Sequence, residues 1–155
     1  MIKYIFSLTI IFSASLCAAQ IQGHVIRVLD GDTLEILQDK KPVRVRLANI
    51  DAPEKKQPFG RWSATQLKDL VAGKPVTVQY AQTDRYGRIL GRVYTADGTE
   101  ANRWQGLNGA AWVSPDYNID YPLPPLQRDA RALKRGLWAD KNPVPPWTWR
   151  KQNKK

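Results

Sequence analysis

Apolar and polar positions alternate along much of the first half of the chain, and the alternation breaks at a few sharp turn signals. Residues 23–29 (GHVIRVL) are apolar and β-branched and run into Asp30-Gly31; residues 33–37 alternate again and stop near Asp39-Lys40-Lys41-Pro42. In residues 43–47, Val43, Val45 and Leu47 share one face while Arg44 and Arg46 share the other. These stretches predict a three-stranded meander. The period then lengthens. After Pro58-Phe59-Gly60, Ala64, Leu67, Leu70 and Val71 recur at helical spacing, and Gly73 is placed to end the helix. Residues 74–81 and 88–95 read as strands on either side of the turn Thr83-Asp84-Arg85-Tyr86-Gly87. A short helix is expected over residues 99–108. Another is expected after Pro124-Pro125, with Leu126, Ala130 and Leu133 on its inner face and Gly136 as its cap.

The order is three strands, a helix, two strands and two helices, which predicts a mainly β chain with some α. The expected architecture is a five-stranded OB-fold barrel with three helices. The segment from Asn142 (NPVPPWTWRKQNKK) is proline-rich, then aromatic and basic. It is expected to be an extended or disordered appendage, with its tryptophans folding back on the barrel.

The N-terminus changes this picture. Met1-Ile2-Lys3 gives a short positive start, residues 4–16 are apolar with a few serines, and Cys17-Ala18-Ala19 supplies small residues before Gln20. This is a secretory signal-peptide pattern with cleavage expected after Ala19. The run is short for a membrane span, and Leu16 is a poor residue to precede a lipidated Cys17. Cleavage is therefore the reading taken over an anchor or a lipoprotein. The expected organisation is a signal peptide at 1–19, one domain at 20–140 and a tail at 141–155. Such a protein would be exported, periplasmic or secreted, with no integral membrane association after cleavage.

Cleavage would remove the single cysteine, leaving His24 as the only other zinc-type side chain. Zinc sites built from Cys and His are excluded, as is any nuclease chemistry that needs a histidine pair. The chain carries 24 Lys and Arg against 14 Asp and Glu, a net charge of +10, and loss of Lys3 lowers it by one. An excess of this size favours polyanions such as nucleic acid, anionic lipid or acidic polysaccharide, without itself implying catalysis.

Candidate chemistry concentrates in residues 28–54. Asp30-Gly31-Asp32-Thr33 and Asn49-Ile50-Asp51-Ala52-Pro53-Glu54 flank the strand that carries Arg46. Either acidic turn alone is ordinary turn chemistry, since Asp, Gly and Pro favour turns for backbone reasons. Together they would bring Asp32, Asp51 and Glu54 to one end of a sheet beside a guanidinium. Hard cations such as Ca²⁺ prefer carboxylate oxygens, and a guanidinium fork suits the charge that gathers on a phosphodiester during hydrolysis. Arg88, at the start of a strand, is a second candidate of this kind, while Arg27, Arg44, Arg61 and Arg92 read as surface solvation. Arg85, Tyr86 and Tyr117 could hold a nucleotide by stacking and phosphate contact, although core packing is the commoner fate of tyrosine.

Taken in order, the segments 30–33, 46–54, 83–88, 102–112 and 135–138 resemble the staphylococcal nuclease (thermonuclease) family from about Gly23 to Trp138. The resemblance implies an OB-fold barrel with three helices and a Ca²⁺-dependent phosphodiesterase acting on DNA and RNA, single-stranded or locally opened. It implies that Asp32, Asp51 and the Ala52 main-chain carbonyl hold Ca²⁺, and that Glu54 activates or orients the attacking water. Arg46 and Arg88 would stabilise the transition state; Arg85, Tyr86 and Tyr117 would contact the nucleotide. Cleavage of the P–O5′ bond would leave 3′-phosphate ends. No stable protein partner is implied, and a monomer is expected. This chain departs from the family pattern in having Ala52 for a threonine, a short segment after Glu54, and Pro115 where a first substrate tyrosine is expected. The alternative is a nuclease-like barrel that binds nucleic acid without cutting; a further one, a calcium-stabilised protein that sticks to polyanions, leaves the placement of Arg46 and Arg88 unexplained.

Overall fold

The computed structural model describes residues 18–154, so the expected signal segment lies outside them but for its last two residues. Strands β1 (Ala19–Asp30), β2 (Thr33–Gln38), β3 (Lys41–Leu47) and the short β4 (Ile50–Asp51) come first, then α1 (Gly60–Val71). They are followed by β5 (Pro75–Thr83), β6 (Ile89–Thr95), α2 (Ala101–Leu107) and the short β7 (Trp112–Val113). Helix α3 (Leu123–Ala132), a 3₁₀ turn (Gly136–Ala139) and α4 (Pro146–Gln152) complete the described chain. Five strands close a barrel in the order β1-β2-β3-β6-β5, so the expected mainly β barrel is present. Among the described residues its only parallel pair is β3 with β6, where Arg46 is the register partner of Leu90.

One strand closes the barrel. The first half of β1 pairs with β5, from Ala19↔Tyr80 to His24↔Pro75, and the second half pairs with β2, from His24↔Leu37 to Asp30↔Thr33. The hand-over falls at Gly23, where a Cβ would lie 2.5 Å from the Leu37 carbonyl oxygen. Only a glycine lets the two backbones approach that closely. The strand therefore begins earlier than residue 23, because residues 19–22 are held by ladder hydrogen bonds rather than by a buried apolar face.

The interior is filled by Leu34, Ile36, Val45, Leu47, Val76, Val78 and Val93, joined by Leu67 and Val71 of α1. A second, smaller cluster gathers Trp112, Ala130, Leu137 and Trp138, with Phe59 and Trp147 packed against it. Three elements differ from the sequence expectation. Leu133 is 62 % exposed, because α3 ends at Ala132 and leaves Leu133 as its C-cap, while Ala130 is buried as expected and Leu123 joins it. A two-stranded pair, β4 with β7, sets Asp51 opposite Trp112. The tail is no appendage: it forms a fourth helix, α4, started by Pro146 in the first turn. Trp147 anchors it edge-on against Trp112, at 5.6 Å between ring centroids.

Candidate active site

The site is assembled on the rim and outer face of the barrel. The Asp30-Gly31 turn between β1 and β2 is pinned from beneath. Gln105 Nε2 donates to the Gly31 carbonyl at 2.7 Å and to the Ser63 carbonyl at 3.0 Å, and Ser63 Oγ donates to the Ala110 carbonyl at 2.6 Å. A Cβ on Gly31 would lie 1.8 Å from Ser63 Oγ, so the turn fits against α1 only as glycine. This buried network fixes the backbone from which Asp32 projects.

Asp32 is itself buried. Its Oδ2 accepts the Ala52 backbone N–H at 2.6 Å, and its Oδ1 accepts Thr33 Oγ1 at 3.0 Å. Burial pushes its carboxyl up to about 7, with Arg46 working in the opposite direction. Arg46 is held along its length: Nη1 donates to the carbonyls of Leu47 (2.7 Å) and Ile50 (2.9 Å). Its Nη2 lies 3.2 Å from Asp32 Oδ2 and 3.5 Å from Asp51 Oδ1. The guanidinium is thus oriented before any substrate arrives.

Glu54 sits on a turn fixed by Gln57. Gln57 Oε1 accepts the Glu54 N–H at 3.1 Å, Gln57 N donates to the Glu54 carbonyl at 2.9 Å, and Gln57 Nε2 donates to the Val144 carbonyl at 2.6 Å. Gly60 lets α1 start against this turn, since a Cβ there would come within 1.9 Å of the Glu54 carbonyl oxygen. Asp32, Arg46, Asp51 and Ala52 are joined directly by these contacts, and Glu54 reaches them through a guanidinium that it shares with Asp51.

The remaining candidates lie at the β5–β6 turn and beyond it. Arg88 precedes β6, the strand that pairs with Arg46's own strand, but its Nε is bound to Asp84 Oδ2 at 2.7 Å. No hydrogen bond or ion pair joins it to the three carboxylates among the described residues. Arg85 lies 5.0 Å and Arg88 5.6 Å from the ring centre of the exposed Tyr86. Tyr117 stands in the β7–α3 loop, 81 % exposed. Tyr86 and Tyr117 are thus free of the core, as stacking residues would have to be. Arg27 and Arg44 do more than meet solvent: both bind Glu35, at 2.9 and 2.7 Å, and Arg92 binds Glu100 at 2.7 Å.

Sequence reasoning missed Gln57, in the turn before α1, and Ser63 and Gln105, polar residues on α1 and α2. It also missed Arg150. From α4, Arg150 Nη2 donates to Asp51 Oδ2 at 2.7 Å and Nη1 to Glu54 Oε1 at 2.9 Å. The available signal was Pro145-Pro146, the same helix-starting pattern that located α3.

The donor set fits a hard cation. Among the described residues no three acidic, His or Cys side chains form a ready-made cage. Asp32 and Asp51 nevertheless offer carboxylate oxygens beside the buried Ala52, and a cation would need solvent or substrate oxygens to complete its shell. Burial raises the Asp32 carboxyl, and a divalent ion bound beside it would favour its ionised form.

A barrel rim that sets carboxylates beside a guanidinium suits chemistry on a phosphodiester, and comparison with known proteins points the same way. Residues 44–140 match the family model described as staphylococcal nuclease homologue. The chain is 59 % identical over 148 residues to an uncharacterized endonuclease of Escherichia coli, covering 96 % of this chain and 97 % of the relative. It is 41 % identical over 151 residues to an uncharacterized endonuclease of Haemophilus influenzae, covering 96 % and 84 %. It is also 38 % identical over 146 residues to a micrococcal nuclease of Shigella flexneri, covering 88 % and 84 %. The chain belongs to the staphylococcal nuclease family.

Proposed function

We propose that this protein is an exported, Ca²⁺-dependent nuclease that hydrolyses phosphodiester bonds of DNA and RNA with little sequence preference, leaving 3′-phosphate ends. The observation that carries the reading is Arg46 spanning Asp32 and Asp51 beside Glu54, at 3.2 and 3.5 Å from the two aspartates. Asp32, Asp51 and the Ala52 carbonyl would hold the cation, which when bound would polarise the phosphate and offset its charge. Arg46, fixed by two backbone carbonyls, holds a phosphate oxygen without reorganising. Glu54, on the turn locked by Gln57, takes the proton of the attacking water or orients that water. Arg88 leaves Asp84 to meet the phosphate from the β6 side, and Arg85, Tyr86 and Tyr117 bind the flanking nucleotide. The basic surface favours nucleic acid, single-stranded or locally opened, and a monomer suffices for all these roles.

The test is cleavage of single-stranded DNA by purified protein beginning at Gln20, with Ca²⁺, with a chelator, and beside Asp51→Ala. Cutting that needs both Ca²⁺ and Asp51 supports the reading. Tight DNA binding with no cutting in any of these conditions makes the protein a binding module.

A further inference from the structure

The cation reading leaves one strong contact unexplained. Arg150 Nη1 donates to Glu54 Oε1 at 2.9 Å and to Asp51 Oδ1 at 3.2 Å, and Nη2 donates to Asp51 Oδ2 at 2.7 Å. One guanidinium therefore takes both oxygens of Asp51 and one of Glu54.

The contact is built into the fold. Trp147, three residues before Arg150, packs edge-on against Trp112, and Trp112 is the β-pair partner of Asp51. Val144, just before α4, accepts the hydrogen bond from Gln57, whose other amide end holds the Glu54 backbone. The helix that carries Arg150 hangs on the same two supports as the carboxylates it touches.

We propose that Arg150 is the resting occupant of the cation seat, a tethered guanidinium that covers Asp51 and Glu54 until a divalent cation displaces it. The proposal rests on the reading of Asp51 as a cation ligand. Charge balance supports displacement. Asp32, Asp51 and Glu54 face Arg46 and Arg150, a near-neutral set in the absence of metal. A divalent ion takes that set from −1 to +1 with Arg150 in place and to neutrality once Arg150 has left, and both Asp51 oxygens are engaged while Arg150 stays. Any contact made only in the cation-free state weakens apparent cation affinity by the factor it contributes to that state. The same contact occupies Glu54, so while Arg150 stays that carboxylate is not free to accept a proton.

Isothermal titration with calcium chloride tests this on the protein from Gln20 onward, comparing wild type, Arg150→Ala, Arg150→Gln, Arg150→Lys and Asp51→Ala. Arg150→Ala and Arg150→Gln are expected to bind Ca²⁺ about twofold to fivefold more tightly, as befits loss of a half-exposed ion pair, with Arg150→Lys in between. Thermal unfolding without calcium checks that each variant is folded, and the glutamine variant serves if the alanine one is not. Folded Arg150 variants that bind Ca²⁺ as wild type does, or more weakly, overturn the proposal; a parallel loss of turnover at saturating Ca²⁺ would then make Arg150 a substrate contact. If Asp51→Ala binds Ca²⁺ as well as wild type, the cation reading itself fails.

Discussion

Asp51 and Trp112 face each other across a two-residue antiparallel pair, which ties a carboxylate of the site to the tryptophan cluster beneath it. Trp112 in turn packs on Trp138 at 4.5 Å and on Trp147 at 5.6 Å between centroids. The geometry of Asp51 is thus set by aromatic packing as well as by its own turn. Trp112→Ala is expected to lower unfolding free energy by about 3–5 kcal/mol, the usual cost of removing a buried tryptophan. It should also weaken Ca²⁺ binding. Chemical denaturation and calcium titration would measure both.

Glu54→Gln keeps the shape and the Gln57 turn but removes the proton acceptor. Turnover should fall by about 10²–10⁴-fold with DNA binding retained. Single-turnover cleavage alongside a binding titration with the same oligonucleotide checks this; unchanged turnover would remove Glu54 from the mechanism.

Arg88→Ala should reduce the cleavage rate by about 10²–10³-fold if the guanidinium meets the transition state. Its partly exposed pair with Asp84 adds little to the fold, so the melting temperature should hardly move. A rate loss below tenfold would confine Arg88 to its pairing with Asp84.

Asp32 makes the cation-free fold sensitive to pH in an uncommon direction. Its carboxyl rises from the ordinary 3.8 to about 7 on folding, chiefly through burial. The folded state therefore binds the proton more tightly than the unfolded one. Stability from this group is full below about 4 and is lost as pH climbs through about 7. Urea unfolding in a chelator should show that decline, Asp32→Asn should flatten it, and Ca²⁺ should offset it by favouring the ionised form.

Gln105→Ala would leave the Gly31 and Ser63 carbonyls without their shared donor in a fully buried setting. A loss of about 1–3 kcal/mol in unfolding free energy is expected, together with reduced activity because the turn bearing Asp32 loosens. Denaturant midpoints and cleavage rates would show whether the two effects move together.

The barrel was legible because its strands bury one face: Val43, Val45 and Leu47 alternate with arginines, and that period survives any detail of packing. The two acidic turns were legible because Gly31 and Pro53 mark them, and the strand between them leaves their carboxylates little choice of direction. Three kinds of information were hidden. The first half of β1 is held by backbone pairing to β5, which leaves no apolar pattern. Gln57 and Gln105 act through buried amides, and an amide on a helix or turn looks the same in sequence whether it meets water or a carbonyl. Arg150 reaches Asp51 and Glu54 across nearly a hundred residues, and its helix is stabilised by tryptophan contacts rather than by a helical stripe of its own. Its charge looked like one more basic residue in a basic tail.

The parallel pairing of β3 with β6 has a kinetic consequence. The meander β1–β2–β3 is local and is expected to form early, whereas pairing β3 with β6 closes a loop of some forty residues that holds α1 and β5 and is expected later. The strand of Arg46 and the strand that Arg88 precedes come together only in that step. In refolding from denaturant, strand content should therefore recover ahead of phosphate binding. The delay between the two signals would time the closing of the barrel.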